Sequence, residues 1–317
     1  MKWIKKGQIL SFSKNGNKLN GFHYSQNPKA IVLEDRIRVF FNTRKRLENH
    51  EQKAFPVFID LCKKDLSKIL ELSFEPLLEF GEKGAFDEFG IMSSSVVNVG
   101  SSFYMYYVGW TRMHSVPYNW AIGVAKSDDK GNTFRKLFRG PIVGAIKDEP
   151  FLQNGCFVKV PNGNNKWHMW YSTGQKWIDC KGKMESMYSI VQATSLNGMD
   201  WERNGKRILP QLREYETQTT PVIFKKGGLF HMYFSYRNSV DFRQKDGGYR
   251  IGYATSLDMN VWKREDYKAG IHVSEYGWDS EMICYPDIVD IDGRLVMFYC
   301  GNDFGKDGFG YAVLEEE

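Results

Sequence analysis

Pro221-Val-Ile-Phe-Lys225, Gly227-Gly228, Leu229-Phe-His-Met-Tyr-Phe-Ser235, Tyr249-Arg-Ile-Gly-Tyr-Ala-Thr255, Ser256-Leu-Asp-Met-Asn260 and Val261-Trp-Lys-Arg-Glu265 follow one another within residues 216–265. Apolar residues alternate with polar ones or come in short β-branched and aromatic runs, each bounded by Gly, Asp or Asn. The pattern predicts a four-stranded antiparallel meander.

The unit recurs along the chain. Its first strand reappears as Ala30-Ile-Val-Leu33, Val96-Val-Asn-Val99, Phe157-Val-Lys-Val160 and Ile288-Val-Asp-Ile291. Its second reappears as Ile37-Arg-Val-Phe-Phe41, Phe103-Tyr-Met-Tyr-Tyr107, Trp167-His-Met-Trp-Tyr171 and Leu295-Val-Met-Phe-Tyr299. A period of roughly 65 residues with four strands per unit is that of propeller blades. The expected fold is all-β, a five-bladed β-propeller, forming one domain over residues 1–317. Only three strands fit after Ile288. The start, Met1-Lys-Trp-Ile-Lys-Lys-Gly-Gln-Ile-Leu10, resembles the outer strands Val261-Trp-Lys-Arg and Asp200-Trp-Glu-Arg. The N-terminal strand is therefore expected to close the last blade and remove a free sheet edge. Asp65 to Leu72 reads either as a helical turn or as the fourth strand of blade one.

Composition excludes several function classes. No run of about eighteen apolar residues exists, so no membrane span is expected. The Lys-rich start lacks the apolar core of a secretory signal. Five cysteines, odd in number and without metal spacing, read as reduced thiols of a cytoplasmic protein, with Cys156, Cys284 and Cys300 expected in buried places. A net charge of +5, not gathered into a basic block, argues against nucleic acid as a partner. No metal site or cofactor motif is visible. Three turns, beginning at Ser127, Ser195 and Ser256, share a Ser-x-Asp/Asn pattern; the first, Ser127-Asp-Asp-Lys-Gly-Asn-Thr-Phe134, reads as a structural Asp-box rather than a calcium loop.

In a propeller the segment before each inner strand and the loop after each second strand open on one face. Before the inner strands lie Asp87 and Glu88, Asp148 and Glu149, Glu214 and Glu216, and Asp279 and Glu281, with Asp287 at a strand start; blade one offers His23, Tyr24 and Gln26. After the second strands come Arg44, Trp110, His114, Trp177, Arg237 and Asn302. Two long loops, 110–119 and 174–185, are expected at that face. Carboxylates from four blades that converge on the axis would supply the acid and the base of glycosidic bond cleavage. Tryptophans would stack on sugar faces, and Arg237 would orient an anionic group or hydroxyls.

At these residues the chain resembles the five-bladed propeller glycosidases of glycoside hydrolase families 43, 32 and 68 and the related mannoside phosphorylases. It is most similar to uncharacterised bacterial members, through Phe86-Asp-Glu-Phe-Gly90, Glu149-Pro-Phe-Leu152, Ser235-Tyr-Arg237, Tyr249-Arg-Ile-Gly-Tyr-Ala254, Gly277-Trp-Asp-Ser-Glu-Met-Ile-Cys-Tyr285 and Gly308-Phe-Gly310. The resemblance implies an Asp base on blade one, an Asp modulator on blade two and a Glu acid on blade three. Asp87 and Glu149 match the last two; Ser25-Gln-Asn-Pro28 stands where the base belongs. The expected catalytic set is Asp87, Glu149, Glu216 and Glu281, with Glu149 as proton donor. Arg237, Trp110, His114, Trp177, Asn302, Tyr285 and Gln26 are the expected contacts to a carbohydrate or sugar-nucleotide ligand. The expected function is that of a carbohydrate-active, glycoside hydrolase-like enzyme acting on a glycosidic bond through these carboxylates; a sugar transferase or phosphorylase on the same fold, or a propeller that binds a glycan or protein without chemistry, is the alternative.

Overall fold

The structure is a computed structural model describing residues 1–12, 21–46, 52–161, 166–244 and 246–315. The polar stretch 13–20 and the charged stretch 47–51 lie outside the described residues. Strand β1 (Trp3–Leu10) comes first. Blade one is β2 (Phe22–Val32), β3 (Arg36–Arg46), β4 (Gln52–Cys62) and β5 (Asp65–Leu72), so the ambiguous segment is the fourth strand. Blade two is β6 (Ile91–Val99), β7 (Ser102–Arg112), β8 (Tyr118–Ser127) and β9 (Arg135–Lys136). Blade three is β10 (Asn154–Lys159), β11 (Trp167–Cys180), β12 (Lys183–Ser195) and β13 (Glu202–Arg207). Blade four is β14 (Glu216–Lys226), β15 (Leu229–Asn238), β16 (Arg250–Ser256) and β17 (Lys263–Arg264). Blade five is β18 (Cys284–Ile291), β19 (Arg294–Cys300) and β20 (Phe309–Leu314), completed by β1.

The inner strands β2, β6, β10, β14 and β18 touch in that order, and β18 returns to β2, so the five-bladed ring is closed. The second strands carry the core. Val39-Phe40-Phe41, Met105-Tyr106-Tyr107, Met169-Trp170-Tyr171, Met232-Tyr233-Phe234 and Met297-Phe298-Tyr299 are completely buried. Neighbouring blades cover both faces of each sheet, so these strands read as continuous apolar runs rather than as alternating ones. The two loops expected at 110–119 and 174–185 are largely strand: β7–β8 and β11–β12 extend as hairpins beyond the blade. The Asp-box closes on itself, with Asp129 Oδ1 accepting the N–H groups of Asn132 and Thr133 at 3.0 Å. All five cysteines are free, and Cys156, Cys284 and Cys300 are buried.

The predicted carboxylates do not converge on the axis. Asp87 accepts from Tyr107 of β7 at 3.1 Å and pairs with Lys136 of β9 at 2.6 Å. Glu149 accepts from Tyr171 of β11 at 2.6 Å and pairs with Arg203 of β13 at 3.2 Å. Asp279 accepts from Tyr299 of β19 at 2.9 Å and pairs with Lys5 of β1 at 2.6 Å. Glu216 pairs with Arg264 of β17 at 2.5 Å; Phe234 stands where blades two, three and five have tyrosine, and Gln218 of the inner strand supplies the second donor at 2.8 Å. One arrangement thus recurs in four blades. A buried carboxylate at the entry to the inner strand is paired with a cation on the outermost strand, and in blades two, three and five it also accepts from a tyrosine of the second strand. A charge leaves water only when paired and hydrogen-bonded, and that requirement holds each acid inside its own blade.

Two predictions follow from these contacts. Deleting residues 1–10 removes the outer strand of blade five, the Lys5 partner of Asp279, and the Trp3 indole that donates to Tyr233 at 3.0 Å. The truncated chain is expected to aggregate or to melt well below the full chain; a soluble product of unchanged melting temperature would refute ring closure by β1. Arg203→Met leaves the Glu149 carboxylate buried without its cation, at a cost of about 3–5 kcal/mol in urea unfolding, and adding Glu149→Leu should recover most of it. An Arg203→Met midpoint equal to wild type would rule out the clamp as a source of stability.

Candidate functional site

Every inner strand is interrupted by a β-bulge at the same level: between Gln26 and Lys29, Ser93 and Ser95, Asn154 and Phe157, Thr219 and Val222, and Cys284 and Asp287. A bulge kinks its strand and re-aims side chains, and bulges concentrate beside binding sites. Here they form the floor of a cavity of about 360 Å³ at the mouth of the ring. Four bulge residues sit in the left-handed region: Asn27, Gly155, Thr220 and Tyr285. For β-branched Thr220 and bulky Tyr285 that conformation is strained, and strain of this kind is held only where the surroundings enforce it. Gly155 is required twice over: its φ is +56°, and an added Cβ would lie 2.4 Å from Thr219 Oγ1.

The bulges leave strand backbone without ladder partners, and the neighbouring blade supplies them. Asn27 Nδ2 donates to the Ser93 carbonyl at 2.7 Å, the Cys156 N–H to Ser94 Oγ at 2.8 Å, and Thr219 Oγ1 to Asn154 Oδ1 at 3.2 Å. The Tyr285 N–H donates to Ser235 Oγ at 2.8 Å, and the Ala30 N–H to Asp287 Oδ2 at 2.8 Å. All five seams between blades are bridged. Below the bulges, Lys29 and Asp287 pair at 3.6 Å and line the cavity at the other end of the channel.

One wall of the mouth is aromatic. The β7–β8 hairpin sets Trp110 opposite Trp120, with Tyr118 stacked on Trp120 at 4.5 Å between ring centres. The indole N–H groups of Trp110 and Trp120 have no acceptor among the described residues. The opposite side holds Arg237 of β15, Phe242, Tyr249 and Phe304. Phe304 and Asp303 lie in a short turn, α1 (Asn302–Gly305), and both are left-handed. Gln26 braces that turn by donating to the Phe304 carbonyl at 2.7 Å. Burial pushes the Tyr118 hydroxyl up to about 12, and raises Tyr249 and Tyr285 well above the ordinary value.

Of the expected site residues, the mouth brings together Gln26, Trp110, Arg237 and Tyr285. Asp87, Glu149 and Glu216 lie in their blade clamps instead. Glu281 is exposed and lines a polar side cavity of about 360 Å³ with Asn302, next to the mouth. Asn302 is spent on the backbone: Oδ1 accepts the N–H groups of Glu281 and Met282, and Nδ2 donates to the Gly277 carbonyl. His114 is exposed in the β7–β8 turn, and Trp177 packs on Tyr118 at 5.2 Å outside the lining. Sequence reasoning missed Asn27, Ser94, Asn154, Thr219 and Thr220. Their signal was a polar residue just ahead of each apolar inner strand.

No protein-family model matches the chain. Two proteins of Mycobacterium tuberculosis, the uncharacterized protein MT1551 of strain CDC 1551 / Oshkosh and the uncharacterized protein Rv1502 of strain ATCC 25618 / H37Rv, are each 31% identical over 321 residues, covering 99% of this chain and 100% of theirs. Among solved structures, a glycoside hydrolase superposes with a TM-score of 0.74 at 14% identity, covering 99% of this chain and 92% of that chain. A thermostable family-43 glycoside hydrolase gives 0.62 at 14% identity over 94% and 90% of the two chains. A member of the GH130 family of mannoside phosphorylases, which contains glycoside hydrolases targeting β-1,2 mannosidic linkages in Candida mannan, gives 0.64 at 14% identity over 99% and 93%. At such identity the structural likeness concerns the fold. The chain belongs to the family of the mycobacterial proteins MT1551 and Rv1502, built on the five-bladed propeller fold of glycoside hydrolases and mannoside phosphorylases.

Proposed function

We propose that the mouth of the propeller binds a saccharide, and that the protein acts by holding this ligand rather than by two-carboxylate hydrolysis. The make-up of the cavity carries this reading. Flat indole and phenol rings on one wall match the C–H face of a sugar ring, while the Asn, Ser and Thr side chains of the floor match its hydroxyls. The shared fold with glycoside hydrolases and a mannoside phosphorylase supports sugar as the ligand class.

Ordinary glycosidic cleavage needs two carboxyls about 5 to 10 Å apart around one bond. None of Asp87, Glu149, Glu216 and Glu281 lines the mouth, and Asp87 and Glu281 line two other, separate cavities. Among the described residues Asp303 is the one carboxylate lining the mouth, and it meets Lys306 at 3.3 Å. The mouth is lined instead by bulge residues, by the left-handed Thr220, Tyr285, Asp303 and Phe304, and by two indole groups whose N–H lacks an acceptor among the described residues.

The test pairs a glycan array with product analysis. Bound glycans should be recovered intact by mass spectrometry, and Trp110→Ala should weaken binding about tenfold or more, the usual scale for truncating a central aromatic contact. Glu149→Gln should leave affinity unchanged. Cleaved product whose formation falls about a hundredfold in Glu149→Gln, the scale of general-acid loss, would restore the hydrolase reading.

A further inference from the structure

We infer that the ligand of the mouth carries a negative group, seated against Arg237 with Arg44 as a second cation of the same cavity. This rests on the saccharide reading for the rest of the ligand, but its charge argument is independent.

Arg237 is 4% exposed. Its Nη1 donates to the Asn238 carbonyl at 3.0 Å and its Nη2 to the Ser186 carbonyl at 3.4 Å, while Nε is buried without a partner. Its other neighbours are rings: the guanidinium carbon lies 3.7 Å from the Phe242 centroid and within 5.6 Å of Tyr188 and Tyr249. No carboxylate pairs with it among the described residues. The same protein shows what a buried arginine ordinarily receives. Arg38 meets Asp60 at 2.7 Å, Arg203 meets Glu149 at 3.2 Å, and Arg264 meets Glu216 at 2.5 Å. Arg237 has no such partner among the described residues, and it lines the mouth.

Arg44 repeats the pattern more openly. Its Nη2 donates to Gln26 Oε1 at 3.2 Å, its carbon sits 4.6 Å over Tyr24, and its buried Nε has no partner. The remaining charges of the mouth cancel, since Arg243 meets Glu185 at 2.5 Å and Asp303 meets Lys306. Tyrosinate cannot balance the two arginines. Burial holds the Tyr249 and Tyr285 hydroxyls well above their ordinary pKa, so they stay neutral at physiological pH. Burial also opposes the Arg237 charge, but the Tyr188 and Tyr249 oxygens beside it hold its pKa above the usual arginine value. Two positive charges therefore face a cavity with low-dielectric aromatic walls, where attraction for an anion is strong. A guanidinium fork fits a carboxylate or a phosphoryl group by parallel N–H···O bonds. The ligand class is an acidic sugar or a sugar phosphate.

Thermal melting at matched ionic strength tests this, with glucose, glucuronate, glucose 6-phosphate and sulfate as probes. Glucuronate or glucose 6-phosphate should raise the melting temperature where glucose does not, by preferential binding to the folded chain. The rise should vanish in Arg237→Gln, and in Arg44→Gln, which is half-exposed and should fold normally, affinity should fall about tenfold. Response to glucuronate alone assigns a carboxylate, and response to glucose 6-phosphate alone a phosphoryl group. A shift from sulfate equal to that from the sugars keeps the anion site and removes the saccharide reading. Glucose as effective as the charged sugars, no response to any anion, or an anion response retained in both variants overturns the inference. The first of these leaves saccharide binding standing.

Discussion

The seam between blades is the constraint on which the molecule depends. Each inner strand must reach its neighbour's inner strand around a small ring, and a regular ladder has no spare donors to turn that way. The five bulges release backbone and side-chain groups at one level, and the next blade captures them, from Asn27 on Ser93 round to Ala30 on Asp287. A buried N–H left without an acceptor costs far more than a hydrogen bond gains, so bulge and seam bond stand or fall together. The bulge residues also line the floor of the mouth.

The carboxylate clamps solve a different problem. The segment leading into each inner strand of blades two to five follows the outermost strand of the blade before it in the chain. Asp87, Glu149 and Asp279 tie that segment to the second strand and the outermost strand together, so one buried charge fixes three pieces of chain, while Glu216 ties it to the outermost strand alone. Lys5 performs this task from the opposite end of the sequence, which makes the clamp of blade five part of ring closure. Blade one uses another pair, Arg38 with Asp60, and Arg38 also donates to Asn132 of the blade-two turn at 2.6 Å.

The mouth departs from the rest of the molecule in the way a ligand site departs from a scaffold. Elsewhere the buried cations Lys29, Arg38, Arg203 and Arg264 meet carboxylates. At the mouth, Thr220, Tyr285, Asp303 and Phe304 hold left-handed conformations, two indole donors lack acceptors, and Arg237 lacks a counter-ion. Each is a local cost that the surrounding packing holds in place, and together they mark where stability has given way to recognition.

The sequence by itself determined the blades. Strand patterning, the spacing of Ala30, Val96, Phe157, Val222 and Ile288, and the Trp3-Ile-Lys5 start that repeats Trp201-Glu-Arg203 and Trp262-Lys-Arg264 are local and periodic, and local periodic signals survive in one dimension. That aromatic-x-basic repeat, with Phe134-Arg-Lys136, even named the cations of the clamps, although their partners were not legible from it. The candidate site was half legible: Gln26, Trp110, Arg237 and Tyr285 line the mouth, while Glu149 and Asp87 do not. Which way a carboxylate points is decided by whether a cation from another strand meets it. Whether an arginine stays unpaired is decided by every neighbour that packs around it. Both are sums over residues far apart in the chain, and only the tertiary structure performs them.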